Sequence, residues 1–219
     1  MTNLADLWPP AALRVTSGDL ELRMPDEPTL IALAELATRG VHPEAEMPFY
    51  IPWTRGTPEQ VALAVLRYQW SVQARMAPDD WSLELAVVSD GVVVGKQSIF
   101  AKRFPLLRTA ESGSWLGQEF QGRGIGVRMR LLILHLLFDG LGAERATTGA
   151  FTDNPASNAV TRRIGYEPNG HDWLEREGRA VQNLHYVLTR EAWERRPDEH
   201  RLDVQYVGLE RLRGFLQVS

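Results

Sequence analysis

The chain has 219 residues, 44% of them hydrophobic and 24% charged, with a formal net charge of -4. Those values describe one folded domain and leave no room for a dominant disordered tract. The negative balance argues against nucleic acid as the main partner, although a local basic patch could hold a small anion. With no cysteine in the chain, disulfides, thiolate metal sites and a cysteine nucleophile are excluded, and no metal is expected.

The opening MTNLADLWPPAALRV lacks the basic flank and apolar run of a secretory signal, and no stretch approaches the roughly 20 apolar residues of a membrane span. A cytoplasmic protein with no membrane partner is therefore expected. Leu20, Leu22 and Met24 alternate with Glu21 and Arg23, the pattern of a half-buried strand, which Pro25 and Pro28 stop; this strand is expected to open the domain. Thr29 to Thr38 reads as a short helix ended by Gly40, and Pro58 with Glu59 begins a longer one running toward Arg75. The connector between them, VHPEAEMPFYIPWTRGTP, is too long for a plain turn, and Phe49, Tyr50 and Trp53 are costly to leave in water. Either it is a lid whose aromatics bind substrate, or it plugs the end of the core.

Trp81 to Val88 and Val92 to Phe100 are strand-like runs joined by the hairpin turn Ser89-Asp90-Gly91, and Glu111 to Leu116 supplies a third strand. From Gly126 to Leu141 the apolar residues leave little polar face, which predicts a central buried helix with His135 packed inside it. A loop is expected after Thr147, then a helix from Pro155 to Gly165. Strands around Glu167 to Leu174 and Val181 to Leu188, joined across Glu177-Gly178-Arg179, complete the order. Beyond Glu191, the residues Leu202, Tyr206, Leu209, Leu212 and Leu216 recur at roughly helical spacing, interrupted by Gly208 and Gly214.

The segment QEFQGRGIGVRMR joins the third hairpin strand to the buried helix. Its glycines permit positive φ and close backbone approach, and the amides of a helix start point at a ready site for phosphate oxygens. Arg123, Arg128 and Arg130 crowd the positive end of the helix dipole, where carboxylates are ordinarily preferred. An anion resolves that mismatch. The nucleotide patterns fit poorly: GxxxxGK[ST] is absent, and GxGxxG would put its third glycine at Val127. A kinase would also need a phosphate-gripping lysine, and none lies near Gly122 to Gly126.

Gln121-Gly122-Arg123-Gly124-Ile125-Gly126 resembles the Q/R-x-x-G-x-G/A segment of Gcn5-related N-acyltransferases, the GNAT superfamily. The preceding ESGSWLGQEF is similar to the E-x-G-x-W-L stretch of the ribosomal-protein alanine acetyltransferase (RimJ/RimL-like) branch. AFTDNPASNAVTRRIGYEPNG resembles the same branch through Asn154, Ser157, Val160, Gly165 and Tyr166. The likeness covers roughly residues 13 to 193. It implies an α/β domain over residues 1–193, with a mixed, mostly antiparallel sheet splayed at its middle and flanked by helices. Residues 194–219 would then be an extension packed on the domain or on a second subunit of a homo-oligomer.

The resemblance also implies an N-acyltransferase that takes acetyl- or succinyl-coenzyme A and passes the acyl group to a protein N-terminus, a lysine or a small amine. Coenzyme A would be held by Trp115, Leu116, Gln121, Gly122, Arg123, Gly124, Ile125, Gly126, Val127, Asn154 and Ser157. A succinyl carboxylate would call for a cation, with His42, Arg55 and Arg103 as candidates. Glu111 is the base candidate, with Asp172 and Glu175 as rivals. Ser157 is the group beside the departing thiolate, because Thr161 stands where many members carry an acidic tyrosine. A coenzyme A sensor of the same fold without turnover is the alternative.

Overall fold

The computed structural model describes residues 2–218. In chain order the elements are α1 (Leu4–Leu7), β1 (Arg14–Ser17), β2 (Leu20–Arg23), α2 (Glu27–Thr38), α3 (Pro58–Arg75), β3 (Asp80–Ser89), β4 (Val92–Lys102), α4 (Phe104–Leu107) and β5 (Thr109–Leu116). They continue with α5 (Ile125–His135), β6 (Arg145–Phe151), α6 (Pro155–Ile164), β7 (Glu167–Arg176), β8 (Arg179–Thr189), α7 (Arg190–Glu194), β9 (Gln205–Val207) and α8 (Leu209–Leu216). The nine strands form one sheet in the order β7-β8-β6-β5-β4-β3-β2-β1-β9. Neighbours run antiparallel except β5 and β6, which are parallel.

Local signals explain most boundaries. Asp26 caps α2 through Thr29 N at 3.0 Å, and α3 starts on a reciprocal capping box between Thr57 and Gln60, with Pro58 in its first turn. Strand alternation divides the side chains between two layers. Leu22, Leu83, Leu85, Val87 and Ile99 point to α5 and form the main core with Leu132, Ile133, Leu134, Leu136 and Leu137, all fully buried. At about 1.5–3 kcal/mol for each such side chain, this layer dominates the stability of the fold. On the other face, α2 and α3 pack a smaller core around Leu33, Leu36, Val65 and Trp115.

Several expectations need correction. The strand at Leu20 is not the first, because β1 precedes it and pairs with it from Arg14↔Arg23 to Ser17↔Leu20. The loop expected after Thr147 begins only after Phe151, since β6 pairs with β8 as far as Phe151↔Asn183; Gly149 and Ala150 have little strand signal of their own, and the ladder supplies the rest. The buried helix ends at His135 and continues as one π-turn over Leu136–Gly140. The apolar tail is not one helix: it adds β9 to the sheet beside β1 and then turns at Gly208 into α8. Leu212, Leu216 and Val218 enter the same core as α5.

His135 is packed inside, as its apolar surroundings predict. Its Nδ1 lies 2.8 Å from Asp139 and its ring meets Trp193 edge-on at 4.8 Å. No helix among the described residues is long and apolar enough to cross a membrane.

Candidate active site

The sheet opens between its two parallel strands. β5 and β6 pair from Thr109↔Arg145 to Ser112↔Thr148 and no further, while Gly113–Leu116 stays on β4 and Gly149–Phe151 stays on β8. The backbone of each strand therefore faces a wedge-shaped gap without a partner strand. On the side facing α3, the first residues past the last pair are Gly113 and Gly149, so neither wall carries a side chain there. An extended chain with amides of its own, such as pantetheine, suits such a gap because backbone groups are costly to bury unpaired.

The glycine segment closes one end of this gap. Gly124 is the N-cap of α5 with φ 79, it makes no side-chain cap bond, and a Cβ built there would meet nothing within 4 Å. The first-turn amides of Ile125, Gly126 and Val127 lack intrahelical acceptors, and the dipole there favours negative charge. Gln121 acts as a structural brace, its side-chain amide donating to Val41 O at 2.8 Å and Leu116 O at 3.1 Å. This ties the segment to the connector and to the end of β5.

The arginines do not act together. Arg128 is paired with Asp19, whose pKa Arg128 and then Ser89 lower to about 2. Arg130 is buried, which leaves Arg123, stacked 5.6 Å from the Phe120 ring, as the exposed cation of the three. Arg130 has another position that sequence reasoning missed. Its guanidinium donates to Ser114 Oγ on β5 at 3.2 Å and Thr148 Oγ1 on β6 at 3.4 Å, so it bridges the strands where they part. Burial lowers its pKa.

Glu111 lies on the α3 face, one residue before the last β5–β6 pair, between Phe100 on β4 and Thr147 on β6. A groove of about 630 Å³ reaches it, walled by Tyr68, Val72, Phe100, Leu107 and Thr147. The carboxylate stays open to this groove, yet the protein around it removes enough hydration to raise its pKa above the ordinary glutamate value. The charge of His185 pulls the other way. Neither rival carboxylate is free: Asp172 holds His185 Nε2 at 3.1 Å, and Glu175 accepts from Gly178 N at 2.6 Å to brace the hairpin turn.

On the far side of the gap, α6 starts with Asn154 as its N-cap, and Asn154 Oδ1 accepts from Ser157 N at 3.1 Å. That bond makes Asn154 a helix cap and leaves the half-buried Ser157 hydroxyl uncommitted at the first turn. Thr161 is fully buried, which removes it as a proton donor. Asn158, another residue that spacing did not flag, donates to Phe151 O and accepts from Tyr186 Oη at 2.8 Å, fixing the loop between β6 and α6.

The connector aromatics divide. Phe49 and Trp53 lie 5.1 Å apart, and Trp53 meets Trp115 at 5.7 Å on the α3 face, so both pack on the end of β5. Tyr50, by contrast, is 57% exposed. Arg55 grips Glu177 at the tip of the β7–β8 hairpin, at 2.9 and 3.3 Å, and also donates to Glu44 O. It is therefore not available to an acyl carboxylate. His42 is held by Thr54 and Pro43, and Arg103 sits at the turn between β4 and α4, at the opposite end of β5 from Leu116.

The acetyltransferase (GNAT) domain matches residues 19–167 of the chain. YdaF of Bacillus subtilis (strain 168), provisionally named a ribosomal N-acetyltransferase, is 30% identical over 114 residues, 51% of this chain and 62% of that protein. The chain thus spans less than two thirds of that relative. Among solved structures, the ribosomal-protein α-N-acetyltransferase RimL in complex with coenzyme A is 23% identical, with a TM-score of 0.63 over 80% of this chain and 97% of that one. The microcin C7 self-immunity acetyltransferase MccE, in complex with acetyl-CoA and AMP, is 20% identical, with a TM-score of 0.61 over 78% and 92%. At those identities the two structures establish the shared fold, and the domain match establishes the kinship. The chain belongs to the acetyltransferase (GNAT) family.

Proposed function

We propose that this chain moves an acetyl group from coenzyme A to a primary amine by direct attack, with Glu111 as base and Ser157 beside the departing thiolate. The observation that carries this reading is the gap between β5 and β6, with uncapped helix amides at one end and Glu111 at the other. The pantetheine arm lies along Gly113–Leu116, and the pyrophosphate meets the amides of Ile125, Gly126 and Val127 with Arg123 beside it. The amine arrives through the groove walled by Tyr68, Val72 and Phe100. Glu111 accepts a proton from the nitrogen, the amine attacks the thioester carbonyl carbon, and the C–S bond breaks as thiolate forms.

Acetyl is taken as the donor because two of the cations considered for a succinyl carboxylate are engaged elsewhere, Arg55 by Glu177 and His42 by Thr54 and Pro43. The names of the two ribosomal relatives support a protein N-terminus as acceptor. The test is a panel of acetyl- and succinyl-coenzyme A against peptides with free N-termini, lysine and small amines, read by free-thiol release. Glu111→Gln keeps size and hydrogen bonding, so turnover should fall by roughly 10²–10⁴ while donor binding by calorimetry persists. Full turnover in that variant sinks the assignment of Glu111. Tight coenzyme A binding with no thiol release for any acceptor makes the chain a sensor.

A further inference from the structure

Transfer to an amine that is protonated at neutral pH removes two protons from one nitrogen, and a single carboxylate can hold only one at a time. The α3 face of the gap offers a second acceptor. His185 sits on β8 opposite Gly149 of β6, on the same face as Glu111, whose row runs through Thr147 to Val187. Gly113 and Gly149 carry no side chains, and the group lying over Gly149 is the Asn183 carboxamide, beside the imidazole on β8. The imidazole is near enough for its charge to act on the Glu111 carboxyl. Its Nε2 lies 3.1 Å from Asp172 Oδ1, which fixes Nε2 as the protonated nitrogen and leaves Nδ1 as the accepting one. The charged groups set against it are Asp172 from β7 and Glu111 from β5, both acidic.

We propose that His185, oriented by Asp172, is a second catalytic base at this site, taking the first proton from the acceptor ammonium. The inference rests on the acyl-transfer reading above. His185 Nδ1 takes one proton and the neutral amine attacks the carbonyl carbon, forming the C–N bond. The attached nitrogen gives its second proton to Glu111 and the C–S bond breaks. Glu111 returns that proton to the thiolate, giving the free thiol, and the imidazolium releases the first proton to solvent. The balance is one ammonium and one thioester giving one amide, one thiol and one proton.

The test compares His185→Gln, Asp172→Asn and Glu111→Gln on the full chain, with acetyl-coenzyme A and whichever amine the panel identifies. Both hairpin residues are more than a third exposed on their side chains, 39% and 48%, so the variants should fold, and circular dichroism with coenzyme A calorimetry checks that. Expected for His185→Gln is a fall in kcat of at least tenfold, unchanged donor affinity, and a pH–rate profile that differs from wild type. Asp172→Asn should give a smaller fall and a smaller change in the profile. A His185→Gln enzyme with wild-type kcat and pH profile overturns the second base, and if Glu111→Gln is still impaired the acyl-transfer reading survives. Wild-type turnover in both His185→Gln and Glu111→Gln removes this inference and the Glu111 assignment together.

Discussion

The β3–β4 and β7–β8 hairpins have the same lengths, ten and eleven residues. Their turns are near copies as well, with Asp90 and Gly91 at φ 50 and 79, and Glu177 and Gly178 at φ 50 and 77. Both central residues need positive φ, which is why a polar residue followed by glycine serves in each place. Their surroundings nonetheless differ. In β3, Trp81 and Leu83 through Val88 are buried, Glu84 among them, whereas in β7 every residue except Leu174 and Arg176 is exposed. Turn chemistry makes a hairpin, and the layers above and below decide whether it becomes core. The covered hairpin holds the fold, and the open one carries the His185–Asp172 pair and is joined through Glu177 to Arg55 of the connector.

Three measurements put that contrast at risk. The largest effect is expected in the covered hairpin, where Leu85 is fully buried. Leu85→Ala should cost about 2–5 kcal/mol in denaturant unfolding; a cost under about 1 kcal/mol would mean that β3 is not the structural hairpin. An intermediate effect is expected at the tip of the open hairpin, where Arg55 holds the Glu177 carboxyl below the ordinary glutamate pKa. A carboxyl depressed in the folded state contributes above its unfolded pKa and loses that contribution as pH falls through the folded one. The clamp is therefore intact at neutral pH and opens in acid, below the ordinary glutamate range. Glu177→Gln should raise the acceptor KM a few-fold at pH 7 without moving the melting temperature, and an unchanged KM would show that the connector needs no clamp. The smallest effect belongs to Trp173, which is 65% exposed. Trp173→Ser should stay within about 0.5 kcal/mol of wild type, and a larger loss would mean that this face is covered in solution.

A second contrast lies within the glycine segment. Reading its three arginines as one anion site followed from their crowding at a helix start, but side chains at different positions around a helix leave it in different directions. Arg128 turns outward to Asp19, Arg130 turns inward under the gap, and Arg123 precedes the helix. Spacing along a chain could not separate them. The same holds for Asp172 and Glu175, equal as strand carboxylates in sequence, of which one orients an imidazole and the other braces a turn. His185 carried no local signal, since one histidine in an alternating strand is unremarkable until a neighbouring strand supplies its carboxylate.

The features legible in the chain itself were local and periodic. Gly40 marked the end of α2, prolines marked the starts of α3 and α6, polar-glycine pairs marked the two hairpins, and the apolar run after Gly126 marked the central helix, because each depends on residues within a few positions of one another. The glycine segment and the Asn-x-x-Ser stretch also carried the family. Folding in three dimensions decided the strand order, the point where β5 and β6 part, and the addition of the tail as β9 and α8 on the far edge. Those are pairings between segments tens of residues apart, set by which backbone edges and apolar faces remain unsatisfied once the local elements have formed.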